Sequence, residues 1–487
     1  MVAYYLRIEG VNQSEFVYDT QDLSTIRGGG LMLLDAVDYV ASKATGAKLE
    51  AVTTGASWGI FRFEAQDDAQ AGRLREEAER ILRGHLVQNG KQYELNHATF
   101  VVDVIKASGD FVADREALLA LNRWRQMRSP SLAIPSQNHG DWRQWMQCEV
   151  DLVRPAVATM QGPEGPKKVS ASVKTRRDYG TSQKQAFYAR QTRIHIGKDF
   201  SRDFTELTTD PSKGNLNRKM AVIYLDGNRF GELQNRLCRD IAAQSEFDST
   251  IKTYRREFLK SLLEDLVFQD VGGWVSQQDR YRQDRYRMEI LLWGGDEIIL
   301  VVPAWQGWRV LDFFYRQSAG WHFDGEPLTH AAGVVFCHQN APISRIKDLA
   351  DRLATLAKDK SRDENLFAYQ VLESFDHIGR DLLDFRKERV PLGHDASELI
   401  LPGDNMGIVQ TELPKLREVI PRRKLHLLVQ LLRSDLGKAQ EVEKEIVDHV
   451  LADSEARQAF AGIEGYFGRT KTMWFHIADL WEYLLTS

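Results

Sequence analysis

The feature that most constrains this chain is a glycine pair at the tip of a hydrophobic hairpin. Gly294-Gly295-Asp296-Glu297 sits between two apolar runs, Ile290–Trp293 and Ile298–Val302, which read as the strands of a tight turn. Upstream, Ala221–Leu225 reads as a buried strand that ends on Asp226, followed by Gly227 and a turn into polar helix-forming sequence. Gly-Gly-Asp and Asp-Gly are each common turn chemistry, so neither alone marks a site. Both together, in this order and with helical sequence between them, put carboxylates at strand ends that one sheet can bring side by side. Such a pair can hold two divalent cations, Mg²⁺ or Mn²⁺, roughly 3.5–4 Å apart and clamp a triphosphate against an attacking hydroxyl. Asp226 and Asp296 are therefore the candidate metal ligands. Gly294 and Gly295 leave room for phosphates to approach the backbone.

At 487 residues the chain is too long for one core, and three or four units are expected. A net charge of −5 gives no overall basic field that would advertise nucleic acid. No apolar run is long enough to span a bilayer, and MVAYYLRIEG lacks the character of a signal peptide. Cys148, Cys238 and Cys337 lie far apart, which supports neither a disulfide framework nor a zinc site. A reducing cytoplasm and no membrane partner are the expectation.

From the N-terminus, Ala3–Ile8 reads as a strand and Leu23–Lys43 as a turn and helix. Lys48–Thr54 and Trp58–Phe63 flank Gly55-Ala56-Ser57 as a hairpin, Ala69–Leu86 reads as a helix and Ala98–Ile105 as a strand. This is the order of elements around the Gly-Gly-Asp-Glu segment, so residues 1–127 read as a second copy of that unit whose hairpin tip has no acid. Packing against the acid-bearing copy is its expected role. A helix over Arg115–Met127 leads to a loop at Ser129–Gly140, and Met160–Lys168 reads as another Pro/Gly-rich connection. Lys167, Lys168, Lys174, Arg176 and Arg177 read as a solvated basic surface, with RNA or nucleotide contact as the alternative. Helices are predicted over Gly231–Ile241, Phe247–Phe268, Trp308–Gln317 and Ile343–Lys358, strands over Leu328–Cys337 and Asn365–Leu372, and a loop over Ser276–Arg287. From Arg380 to Ser487 the pattern turns wholly helical, as in Arg423–Leu436, Ala439–Asp453 and Lys471–Leu485.

The segments VIYLDGNRFG, LLWGGDEIILVVP, AAGVVFCHQNAPISRIKDLADRLATLAK and ENLFAYQVL resemble the palm domain shared by class III nucleotidyl cyclases, GGDEF diguanylate cyclases and the large subunit of type III CRISPR effector complexes, the last above all. The resemblance implies an α+β chain with two ferredoxin-like palms and a C-terminal helical domain. The units would be a degenerate palm at 1–127, an inter-palm region at 128–215, the palm with the Gly-Gly-Asp-Glu hairpin at 216–380, and a helical domain at 381–487. It also implies a nucleotidyl or oligonucleotide cyclase that converts ATP, or another nucleoside triphosphate, to a cyclic product with release of pyrophosphate, in prokaryotic antiviral defence. The carried-over roles are these: Asp226 and Asp296 as metal ligands with the Gly227 carbonyl as a third, Glu297 assisting the second metal, and Asn228 touching ribose or triphosphate. Lys358 would hold the triphosphate and Arg362 make a second phosphate contact, although a helix-end surface cation is an equal reading of Arg362.

The chain departs from that subunit in several respects. Glu297 replaces an aspartate, no N-terminal nuclease domain is seen, and His394-Asp395 lacks the companions of a nuclease site. Only Cys148 stands where a zinc module would need more cysteines, and the chain is short, as for a standalone relative. Gln234 stands near where a guanine-reading residue would be, which gives no support for guanine, while the roles of His338, Asn340 and Ser344 stay open. The expected partners are ATP, an activating protein or RNA, and a second copy of the chain. Two alternatives remain: an idle palm scaffold that binds nucleotide or RNA, and a transferase that joins AMP to another acceptor or makes diguanylate.

Overall fold

Two sheets organise the chain, and they share a strand order. The computed structural model describes residues 1–128, 146–162, 165–276, 284–373 and 381–484. In the first sheet Val2–Val11 is central, antiparallel to Trp58–Ala65 and to Thr99–Lys106, with Glu50–Thr54 outside Trp58–Ala65. In the second, Lys219–Gly227 is central, between Glu297–Pro303 and His330–His338, with Glu289–Gly294 outside. Counted along the chain, both run second, third, first, fourth. The predicted Leu23–Lys43 helix is present with those bounds.

Alternation along Lys219–Gly227 divides two cores. Ala221, Ile223 and Leu225 face one, with Trp308 and Phe314 of the Ala304–Ser318 helix. Met220, Val222 and Tyr224 face the other, with Ala350, Leu353, Ala354 and Ala357 of the Ile343–Lys360 helix. That second helix lies close because of Gly333: a Cβ there would fall 1.8 Å from the Ala350 carbonyl oxygen.

Several expectations change. Leu366–Val371 joins the second sheet parallel to His330–His338, and Ile400–Pro402 adds an antiparallel edge strand. The sequence reading expects helix throughout from Arg380; a three-residue strand is too short to leave a period, and its place is set by pairing with Leu366–Ala368. Five helices then run from Gly407 to Leu480, the last over Met473–Leu480 rather than Lys471–Leu485, whose final residue lies outside the described residues. The Ala69–Leu86 helix stops at Leu82, and His85–Gln88 pairs with Lys91–Glu94 instead. Met160–Lys168 is not a bare connection but falls in a hairpin of Ala158–Gly162 with Gly165–Val169. The Ser129–Gly140 loop lies outside the described residues, as does most of Ser276–Arg287.

The basic run is no uniform solvated surface. Ala171–Thr192 is a helix, and Arg176 on it is fully buried, donating to Asp19 at 2.8 and 2.9 Å. His394 pairs with Glu398 at 2.9 Å and Asp395 caps the turn that follows, so that pair is structural. Arg27 and Glu289 form a buried ion pair, with the Arg27 Nε 2.9 Å from Oε1, joining the Leu23–Lys43 helix to the strand that leads into the glycine hairpin. Among the described residues no helix is long and apolar enough to cross a membrane.

Candidate active site

The central strand of the second sheet carries Asp226 to its C-terminal end, on the face of the Ile343–Lys360 helix. Leu225 pairs with Ile298, so Asp226 and Glu297 are the next residues along the same register, and Asp296 lies at the turn just beyond. From the helix, Lys358 reaches across to the strand end. Its Nζ donates to the Asp226 Oδ2 at 2.6 Å and to the Gly227 carbonyl at 2.9 Å. Both side chains are mostly buried, at 17% and 19% exposure.

The carboxylates crowd one another, and their acidities record it. Asp296 is pushed up to about 7, by burial first and then by the charges of Asp226 and Glu297. Asp226 is also raised by burial, against the opposing hydrogen bond and charge of Lys358. Glu297 is exposed, yet the protein around it and the Asp226 charge raise it too, while the Tyr224 hydroxyl donates to it at 3.0 Å and opposes the rise. Asp351 contributes a further negative charge to Asp226 and Glu297 from the helix. Excess negative charge held in a partly dry site is the setting in which a cation binds.

The two glycines do different things. At Gly295 φ is +52° and space is open beyond it, so it makes the left-handed turn. At Gly294 the space is taken: a Cβ there would fall 2.1 Å from that of Ala56. The clearance at Gly294 thus serves contact between the acid-free hairpin and this one. Between the hairpins opens a cleft of about 210 Å³ whose walls include Thr54, Ser57, Gln234, Asp248, Lys252 and Asp296.

Other sequence-derived candidates fall elsewhere. Asn228 is buried and donates its side-chain amide to Thr329 Oγ1 and the Glu364 carbonyl, both at 3.1 Å, so its donors tie two loops together. Its Oδ1 is buried without a partner. Arg362 is exposed, near enough for its charge to pull on Asp226. His338 pairs with Lys219 whereas His330 pairs with Gly227. His338 therefore lies at the far end of the strand, about 23 Å from Asp226 at ~3.3 Å per residue, and Asn340 and Ser344 follow it there.

Sequence reasoning missed Arg255, which is 5% exposed and donates from Nη1 to the Gly295 carbonyl at 3.1 Å while lying 4.8 Å over the Trp293 ring. Nothing in its helix Ile241–Ser261 marks it. It also missed His330, buried among Phe230, Phe314 and Trp321 and lowered to about 3, by burial first and then by the Lys358 charge. Asp351 could have been found: it stands four residues after Lys347 and seven before Lys358, on one helix face.

A central strand ending on an acid, an acidic glycine hairpin beside it and a covering helix with a lysine define a palm domain. Residues 219–366 match the family model of the Cas10/Cmr2 second palm domain, so this stretch carries a palm of the Cas10 kind. Among solved structures, a chain of the Csm1–Csm4 cassette in complex with one ATP is similar, with TM-score 0.54 and 15% identity over 99% of this chain and 70% of that one. Csm1 in T. onnurineus gives TM-score 0.53 and 14% identity over 93% and 64%. A chain of the Csm1–Csm4 cassette in complex with cA4 gives 0.52 and 14% over 89% and 63%. This chain thus spans 63% of the length of that last relative, and at these identities the likeness is one of fold. Comparison with curated proteins finds no match.

Proposed function

We propose that this chain is a metal-dependent nucleotidyltransferase that condenses ATP into a cyclic nucleotide or cyclic oligonucleotide and releases pyrophosphate, in prokaryotic antiviral defence. The observation that carries the reading is the meeting of Asp226, the Gly227 carbonyl, Asp296 and Lys358 at one strand end. The Cas10-type palm supports it, as does the ATP named for one similar structure. In this reading the first sheet is a degenerate palm whose Gly55-Ala56-Ser57 tip closes the cleft, and the helices after Gly407 are a separate domain. The edge strand Ile400–Pro402, paired with Leu366–Ala368, would then belong to the second palm.

Among the described residues no cluster of three or more His, Cys, Asp or Glu side chains is arranged to hold a metal. The donor set is instead two carboxylates and a carbonyl, which suits Mg²⁺, an ion that keeps several waters and takes substrate phosphate oxygens as ligands. Lys358 stands as a cation across two of those oxygens, which tests the fit: the pocket accepts positive charge there. When bound, the metals would supply a lowered pKa at the attacking ribose hydroxyl and neutralise the α-phosphate. The chain's own groups do the rest. Asp226 and Asp296 would hold the ions, Glu297 would back the second, Gly295 leaves the backbone open to phosphate, and Lys358 and Arg362 would bind the leaving pyrophosphate. Three buried free thiols fit a reducing cytoplasm. A protein or RNA activator and a second copy of the chain remain expected partners.

The test is mass spectrometry of products after incubating the purified chain with the four nucleoside triphosphates and Mg²⁺ or Mn²⁺, with Asp226→Ala/Asp296→Ala alongside. A pyrophosphate-releasing product absent from the variant supports the reading; the same product from both overturns the site. The Lys358 ammonium seated on the Asp226 and Gly227 oxygens favours a second reading, an idle palm that binds nucleotide as a scaffold. Nucleotide binding without turnover under either metal would select it.

A further inference from the structure

Lys358 bonds the same two oxygens, the Asp226 Oδ2 at 2.6 Å and the Gly227 carbonyl at 2.9 Å, that the proposed function gives to a divalent cation. An ammonium and a metal ion cannot share them. Mg²⁺ needs its oxygens at about 2.0–2.1 Å, while the ammonium already donates to both of them. We infer that Lys358 is the place-holder for that cation, and that nucleoside triphosphate and metal bind as a coupled pair, with the ammonium passing from the Asp226–Gly227 oxygens to the triphosphate. The inference rests on the reading of the site given above and adds its order of assembly.

The physical reasoning has three steps. Asp226 is mostly buried and feels the negative charge of Asp351, and without metal the Lys358 ammonium is its ion-pair partner. Displacing a mostly buried ammonium leaves it unpaired in turn, which is unfavourable if no anion receives it. A triphosphate supplies that anion within reach of a flexible four-carbon stem, so its arrival removes the penalty. Metal alone therefore binds weakly and triphosphate tightens it. By linkage, metal tightens triphosphate by the same factor.

The experiment is Mn²⁺ binding to the full chain by electron paramagnetic resonance, with and without a non-hydrolysable ATP analogue. Wild type is compared with Lys358→Met and, should that variant not fold, Lys358→Gln. Without nucleotide, the variant is expected to bind Mn²⁺ at least about tenfold more tightly than wild type, within the ordinary range of coupling between sites. The analogue should then tighten Mn²⁺ much less in the variant than in wild type. Equal or weaker nucleotide-free Mn²⁺ binding by the variant overturns the place-holder. Asp226→Asn added to Lys358→Met separates the two ideas. If the tightened binding disappears, the ion is at Asp226 and the inference stands; if it persists, the site assignment itself falls and takes the inference with it.

Discussion

Gly294 lies against Ala56 so closely that a Cβ on residue 294 would come within 2.1 Å of the Ala56 Cβ, 2.4 Å of its nitrogen and 2.5 Å of its Cα. Two hairpin tips, one acidic and one without acid, therefore meet backbone to backbone. Gly294→Ala should destabilise the chain by about 1–3 kcal/mol in denaturant unfolding, the usual cost of overpacking. Ala56→Gly should restore little of it, because the Ala56 backbone atoms stay in the way. Full rescue would mean that the contact is between side chains alone.

Asp296 sets a pH dependence whose sign follows from its acidity. Its carboxyl is pushed up to about 7 in the folded chain, by burial and by the charges of Asp226 and Glu297, from an ordinary 3.8. Between these values the folded state holds more proton than the unfolded one, so Asp296 makes stability fall as pH rises from about 4 to 7 and then level off. In EDTA, Asp296→Asn should raise the melting temperature relative to wild type at pH 8 and leave it nearly unchanged at pH 4. A difference that is largest at pH 4 would contradict the assignment.

What could be read from the sequence follows from what leaves a local trace. The strand ending on Asp226, the glycine hairpin and the Lys358 helix each carry a period or a turn signal, and all three are present. The role of Gly294 was not readable, since Ala56 is distant in sequence and only the fold brings them together. Arg176 sits in a charge run that looks like surface, yet Asp19 and the Phe16 backbone take it into the interior. His338, Asn340 and Ser344 flank the start of the Lys358 helix and their roles stayed open, and a helix of 18 residues separates its two ends by about 27 Å.

The buried pair of Arg27 and Glu289 fixes the strand before the hairpin to the Leu23–Lys43 helix, with Arg27 also donating to the Ser201 carbonyl at 3.1 Å. Removing one partner leaves the other charged and dry. Glu289→Gln should cost about 3–5 kcal/mol in equilibrium unfolding, whereas Arg27→Met with Glu289→Leu should recover much of that loss. A double variant as unstable as the single one would show that the pair is net stabilising rather than merely costly to break.

Arg255 holds the hairpin from beneath. Its Nη1 donates to the carbonyl of Gly295, its guanidinium covers the Trp293 ring, and its Nε is buried without a partner. Burial, then the charge of Arg256, lowers its pKa to about 10, so it stays charged at neutral pH. A hydrogen bond from a charged donor contributes about 1.5–3 kcal/mol, and here it acts on the residue next to Asp296. Arg255→Met should therefore speed amide exchange over Gly294–Glu297 while leaving the Ile343–Lys360 helix protected. Arg255→Lys should recover only part, since an ammonium cannot stack flat on the indole and reach the carbonyl together. Faster exchange in both segments alike would mean that Arg255 supports the domain as a whole; a change confined to the hairpin identifies it as the residue that orients Asp296.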